Sequence, residues 1–276
     1  MGTVGGGRAR ASALMCIAVV AALAAAGCGG STVTPVTIYL PPPPGPVTPL
    51  PSGVTAAPSV ELPTPVIDSV VISSNAPDNR WNVTFKKPVV SGISEAAVTT
   101  MNDAIAAKVN DLIGAFTKQD LPAVSTGDRP STLEGDFTIA LDSPTLLSLR
   151  FTVLTYVTGA AHPVGQPASI NFVVSSGATI NLTDLLVNPA AALSTFATQA
   201  HAAMASTLGA DLTWSGSASS MTFFEKAWAM TPGGLEFTWA QGDLASQAAG
   251  MPSATLPWAG IKSIIKASSP AGEFVK

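Results

Sequence analysis

"RWNVTFKKPVVSGISEAAVTTMNDAIAAKVNDLIGAF", residues 80–116, joins two hydrophobic periods in one run. Its first part, Arg80–Val90, is dense in β-branched and aromatic residues and reads as a strand. The preceding "PVIDSVVISS", residues 65–74, reads the same way, and "NAPDN", residues 75–79, is the turn between them. From Ser94 the spacing becomes helical. Val98, Met101, Ile105, Val109, Leu112 and Phe116 recur at three- and four-residue intervals, so they share one face. Ser94 is placed to cap that helix, with Glu95 in its first turn. A strand pair leading into an amphipathic helix is the start of a sheet with a helix laid on it.

The rest of the chain extends this pattern. "LEGDFTIALD" (133–142) and "LLSLRFTVLTYVTG" (146–159) alternate around "DSPT", as a hairpin does. "ASINFVVSSGATINL" (168–182) predicts a second hairpin turning at Ser176-Gly177. "NPAAALSTFATQAHAAMASTL" (188–208) predicts a second helix with Pro189 in its first turn and Leu193, Phe196, Ala200, Met204 and Leu208 on one face. "MTFFEKAWAMTPGGLEFTWA" (221–240) reads as two strands around "TPGG", and "PWAGIKSIIK" (257–266) as a short helix starting at Pro257. Grouped strands, hairpins and intervening helices give an α+β class: a mostly antiparallel sheet packed with two main helices and a short C-terminal helix.

The first 65 residues have a different character. Arg8 and Arg10 precede an apolar run over 11–26, and "LAAAGC" (23–28) places small residues before a cysteine. This is the layout of a secretory signal. The cysteine after small residues resembles a bacterial lipobox, although Ala25 stands where leucine is commonest. The resemblance implies cleavage before Cys28 and acylation there, palmitate included, holding the protein to the outer side of the cell membrane. Plain secretion and a retained anchor are the alternatives, but the apolar run falls short of the roughly 20 residues needed to span. Residues 28–65 are rich in proline and threonine and favour polyproline II over a packed core. Such a linker would hold a body spanning 66–276 on the order of 100 Å away.

Composition excludes several function classes. Hydrophobic residues make up 47% and charged residues 11%, with a net charge of −4. Removal of Arg8 and Arg10 leaves 11 basic against 17 acidic residues, near −6. With no basic run, nucleic acid is not an expected partner. Cys16 and Cys28 both precede the body, so neither a disulfide nor a thiolate zinc site is expected within it.

Candidate chemistry is sparse. His162 and His201 are the histidines of the chain. With Asp184 between them in sequence they make a thin metal set, and no metal or other cofactor is expected. His201 falls near the apolar face of the second helix and reads as a partly buried histidine with a hydrogen-bond partner. Ser263 and Lys266 fit S-x-x-K, in which one helical turn brings an amine to a serine oxygen, but no companion motif follows. Glu134 and Asp136 pair carboxylates without sign of a cleft. In "TYVTGAAHPV" (155–164), Gly159 permits a backbone closed to other residues, and Pro163 restricts His162 to extended geometry. His162 is then a turn residue, a ligand contact or, least favoured, a catalytic group.

That turn, "Y-x-x-G-A-A-H-P" from Tyr156 to Pro163, resembles the RsiV-like extracellular domain family, found also in PdaC-related envelope proteins and mycobacterial MPT/MPB-type secreted antigens. "SSGATINLTDLLVN" (175–188) and "AMTPGGLEFTWAQGDLASQAAGMPSATLPWAGIKSII" (229–265) are similar to later segments of that family. Residues 80–105 resemble its N-terminal half, where a strand ending in proline leads into an asparagine-containing helix. "QGDLASQAAG" (241–250) departs by lacking the tyrosines often found there. The resemblance covers about residues 66–268. It implies a non-catalytic binding or sensing domain, Tyr156, Gly159 and His162 as a candidate ligand-facing turn, and a lysozyme-like protein or wall glycan such as peptidoglycan as partner. The alternatives are an envelope hydrolase and a structural surface antigen.

Overall fold

The computed structural model describes residues 62–215, 218 and 220–276. The expected signal segment, Cys28 and most of the proline-rich stretch lie outside these. Strands β1 (Val66–Asn75) and β2 (Trp81–Ser91) form an antiparallel pair, and helix α1 (Glu95–Thr117) follows. β3 (Ser131–Asp142), β4 (Leu146–Tyr156) and β5 (Val164–Val173) complete a five-stranded sheet in the order β1-β2-β3-β4-β5. The β2–β3 pair is parallel, because α1 carries the chain across from one to the other; the other neighbours are antiparallel.

The parallel pairing stops where the sequence requires it. It runs from Trp81↔Ser131 to Phe85↔Gly135, three residues short of Pro88, which has no N–H to give a second neighbour. α1 packs Met101, Ile105, Val109 and Phe116 into a core with Phe85, Leu133, Phe151 and Phe172 of the sheet, and Ala97 is also buried. Ala97 takes the buried place that spacing suggested for Val98. The Ser94 hydroxyl accepts from the Ala97 N–H, as a cap does.

The remaining elements build a second core. Helix α2 (Pro189–Leu208) is capped by Asn188, whose side chain accepts from the Ala191 N–H. It buries Ala192, Phe196, Ala200 and Met204 against β6 (Trp228–Thr231), β7 (Gly234–Thr238) and β8 (Ser253–Pro257), an antiparallel three-stranded sheet. Phe196, Phe224 and Phe237 meet with ring centroids 5.0–5.6 Å apart, each pair tilted or edge-on. Such pairs contribute about 0.5–1.5 kcal/mol beyond area burial. The chain then enters helix α4 (Trp258–Ile261).

The α+β class with mostly antiparallel pairing holds, and the strands divide between two sheets. Three expectations are corrected. "MTFFE" is helix α3 (Met221–Glu225) and no strand. Phe223 and Phe224 are both buried, which adjacent residues achieve on a helix and not on a half-buried strand. The second hairpin reduces to an isolated bridge between Phe172 and Thr179, after which Asn181 opens a 3₁₀ turn at Leu182–Leu185 closed by the Asp184 carboxylate. The C-terminal helix is only four residues of α-helix, followed by a 3₁₀ turn at Lys262–Ile264.

The two sheets are tied by polar side chains on the inner strands. The Met230 N–H donates to the Ser148 hydroxyl at 3.2 Å and the Trp228 N–H to the Ser169 hydroxyl at 2.9 Å. The Asn171 amide donates to the Trp228 carbonyl at 3.1 Å. Arg150 of β4 also pairs with Glu236 of β7. The seam between the sheets runs along β5 and the segment Glu225–Trp228, and it positions the candidate site.

Candidate functional site

The Tyr156–His162 turn is a well-made corner. Tyr156 is buried at the end of β4, opposite Thr132, and the Arg129 guanidinium lies 3.8 Å over its ring centroid. Gly159 has φ +85°, and the Ala160 N–H closes the turn onto the Val157 carbonyl at 2.9 Å. The buried Ser131 hydroxyl accepts from the Thr158 N–H at 3.0 Å and anchors the corner to β3. His162 is exposed, and its Nδ1–H donates to the Pro163 carbonyl at 3.0 Å. Tyr156, Gly159 and His162 thus share one corner, and none of them lines the pockets described below.

Of the other sequence candidates only Glu134 and Asp136 stay together, beside an open pocket of about 470 Å³ that Lys86 also lines. His201 is exposed, not partly buried, and its ring meets Trp214 edge-on at 5.3 Å. Ser263 lies in the 3₁₀ turn and Ile265 is extended, so no helical turn brings Lys266 to Ser263. The Lys266 amine instead donates to the Asp184 carbonyl at 3.4 Å. Among the described residues no three His, Cys, Asp or Glu side chains gather as a metal site. Glu134 and Asp136 sit on one exposed face of β3, with Lys86 3.8 Å from Asp136.

The seam offers a different constellation. Two pockets, of about 390 and 400 Å³, share Lys108 as a wall. Lys108 and Leu112 come from α1, four residues apart and so on one stripe. The first pocket continues along Asn171, Asn181, Thr183 and Glu225, the second along Gln166, Lys226, Trp239 and Asp243. Gln241 holds the 239–243 loop in place: its side-chain oxygen accepts from the Gly165 N–H at 2.8 Å, and its own N–H donates to the Gly165 carbonyl at 3.0 Å.

This groove contains polar atoms with unmet capacity. Asn171 is 2% exposed and Trp239 1% exposed, yet Asn171 Oδ1 and Trp239 Nε1 have no hydrogen-bond partner among the described residues. Asp243 Oδ2 is in the same condition, with the Lys226 amine 4.0 Å away. Buried polar groups are nearly always paired, and these atoms, with Arg150 Nε of the neighbouring cavity, are exceptions along the seam between the sheets. The side chains that line the two pockets supply amide, hydroxyl, carboxylate and ammonium groups. The smaller seam cavity, about 250 Å³ around Arg150 and Met251, is mainly apolar, and its guanidinium already pairs with Glu236.

Sequence reading missed this groove because its parts come from four separated segments. The one local signal was polarity inside otherwise apolar strands: Ser148 in "LLSLRF" and Asn171 in "ASINFVV" are both buried.

Comparison with known proteins agrees with this architecture. Residues 183–259 match the family model DUF3298, described as a protein of unknown function. That span takes in α2, α3 and β6–β8, including the Glu225–Trp228 and Trp239–Asp243 walls of the groove. No curated protein matches the chain. A DUF3298 family protein from Bacteroides fragilis is similar in structure, with TM-score 0.53 and 13% identity over 78% of this chain and 99% of that one. A second DUF3298 family protein, from Pseudomonas aeruginosa, gives TM-score 0.51 and 13% identity over 73% of this chain and 94% of that one. At that identity the likeness is one of fold. The chain therefore carries a match to a DUF3298 domain within residues 183–259, on a fold shared with solved members of that family.

Proposed function

We propose that the protein is an extracytoplasmic, non-catalytic binding module, anchored to the membrane by lipid on Cys28, whose seam groove takes a saccharide of the cell wall. The observation that carries this reading is a pair of adjacent pockets that share Lys108 and are lined by polar side chains, Asn181, Thr183 and Glu225 in one and Gln166, Lys226 and Asp243 in the other. A ligand rich in hydroxyl and amide groups both donates and accepts, and so suits a wall of mixed amide, hydroxyl and charged side chains. Trp228 and Trp239 give the groove no exposed stacking platform, since they are 5% and 1% exposed. The resemblance to RsiV-like domains and the expected signal segment support the location. The separation of Ser263 from Lys266, and the exposure of His162 on its own corner, favour binding over hydrolysis.

A second reading takes a lysozyme-like protein as ligand. The surplus of 17 acidic over 11 basic residues beyond the signal segment favours a cationic partner and would speed its encounter. Calorimetric titration of the purified protein with solubilised peptidoglycan fragments, and separately with lysozyme, tests both. Saturable heat at micromolar concentration is expected from the fragments. Heat from lysozyme alone would transfer the function to the second reading, and no heat from either would leave the binding-module account without support.

A further inference from the structure

We infer that the groove recognises an acidic saccharide and that Lys108 contacts its carboxylate. This rests on the saccharide-binding reading above and goes further by fixing the ligand's charge. Lys108 is half-buried between the two pockets. Among the described residues no carboxylate forms an ion pair with it: Asp111, one turn further along α1, is exposed and beyond salt-bridge distance, and Glu225 of the first pocket is also beyond that distance. The other lysine of the groove, Lys226, faces Asp243 at 4.0 Å and lies 5.6 Å from the Phe223 ring centroid. Lys108 is therefore the ammonium of this seam that no carboxylate among the described residues pairs with.

The position explains why that matters. Drawing an ammonium partly out of water costs free energy unless an anion or several acceptors replace the lost hydration. Leu112, on the same stripe of α1, lines the second pocket beside it, and Lys108 lines both pockets. A carboxylate there would lie between Asn181 and Thr183 of one pocket and Gln166 of the other. Neutral hydroxyl or amide groups on either side of it would meet those side chains. The matching ligand is a saccharide with one carboxylate flanked by N-acetyl and hydroxyl groups, as in a sugar bearing a lactyl ether.

The test uses the full chain and three probes: the N-acetylglucosamine–N-acetylmuramic acid disaccharide with its lactyl carboxylate free, a neutral N-acetylglucosamine oligomer, and a free wall-peptide stem. The acidic disaccharide is expected to bind at least tenfold more tightly than either other probe. Lys108→Met is expected to abolish that preference, and Lys108→Arg to retain most of it, with circular dichroism confirming that both variants fold. Equal affinity for the neutral oligomer, or unchanged affinity in Lys108→Met, overturns the carboxylate contact and leaves the saccharide reading standing. Tighter binding of the free peptide overturns the choice of a saccharide, and binding of no probe overturns both.

Discussion

The side-chain amide of Asn102 in α1 grips the backbone of Val90 in β2 at both ends: its oxygen accepts from the Val90 N–H and its nitrogen donates to the Val90 carbonyl, each at 2.9 Å. β2 needs this because β3 pairs only with Trp81–Phe85, which leaves the edge of β2 beyond Pro88 without a strand on that side. One helix residue imitates the missing strand. Asn102→Ala removes two partly buried hydrogen bonds, and the expected loss is about 2 kcal/mol, read by urea denaturation. A loss below about 0.5 kcal/mol would show that water replaces the amide without cost.

Two glycines separate steric from conformational demand. A Cβ on Gly135 would meet the Phe85 ring at 2.2 Å, inside the first core. A Cβ on Gly159 would meet nothing within 4 Å, so only its φ of +85° resists. Gly135→Ala is expected to cost more than 3 kcal/mol by displacing the ring, and Gly159→Ala about 1 kcal/mol. Thermal melts that rank them the other way would contradict this packing.

The Arg150–Glu236 pair joins the two sheets, with Glu236 the more buried partner at 13% side-chain exposure. Removing either side alone strands the other charge near the seam. A double-mutant cycle with Arg150→Met and Glu236→Gln is expected to give a coupling energy of about 2 kcal/mol. Strict additivity would mean that the sheets are held by Ser148, Ser169 and Asn171 without help from charge.

Burial raises the Asp142 carboxyl above its ordinary value. The folded protein therefore holds that proton more tightly than the unfolded chain does. Its contribution favours folding at low pH and is lost as pH rises from the ordinary carboxylate value through the raised one. Asp142→Asn removes the titration, so the variant's melting temperature should gain on the parent's as pH rises through the carboxylate range. A difference independent of pH would contradict the shift.

The anchor makes its own prediction. Cys28→Ser should abolish incorporation of labelled palmitate and release the protein from the membrane fraction. Retained label would assign the acyl chain elsewhere.

Much of the first core was legible because its signals are local. Ser94 caps α1, the 101-105-109-116 spacing faces the sheet, and the β3–β4 hairpin alternates as a half-buried pair must. The asparagine of the helix noted in the resemblance proves to have a structural use, in Asn102 on Val90. What stayed hidden is the division into two sheets. It depends on hydroxyls of Ser148 and Ser169 receiving backbone N–H groups 82 and 59 residues later, and no local period encodes such partners. "MTFFE" misled for a related reason. Its aromatic run has strand propensity, and the tertiary demand to bury Phe223 and Phe224 together overrides it. The candidate site follows the same division: the corner at Tyr156, Gly159 and His162 is contiguous in sequence, whereas the Lys108 groove is assembled only by folding.

Those two places can be compared in one experiment. Hydrogen–deuterium exchange with and without solubilised peptidoglycan fragments shows where a ligand sits. The account predicts protection in residues 104–112, 166–171, 225–228 and 239–243, with the 156–164 corner unchanged. Protection confined to that corner, or none at saturating fragment, would contradict the groove as the binding site.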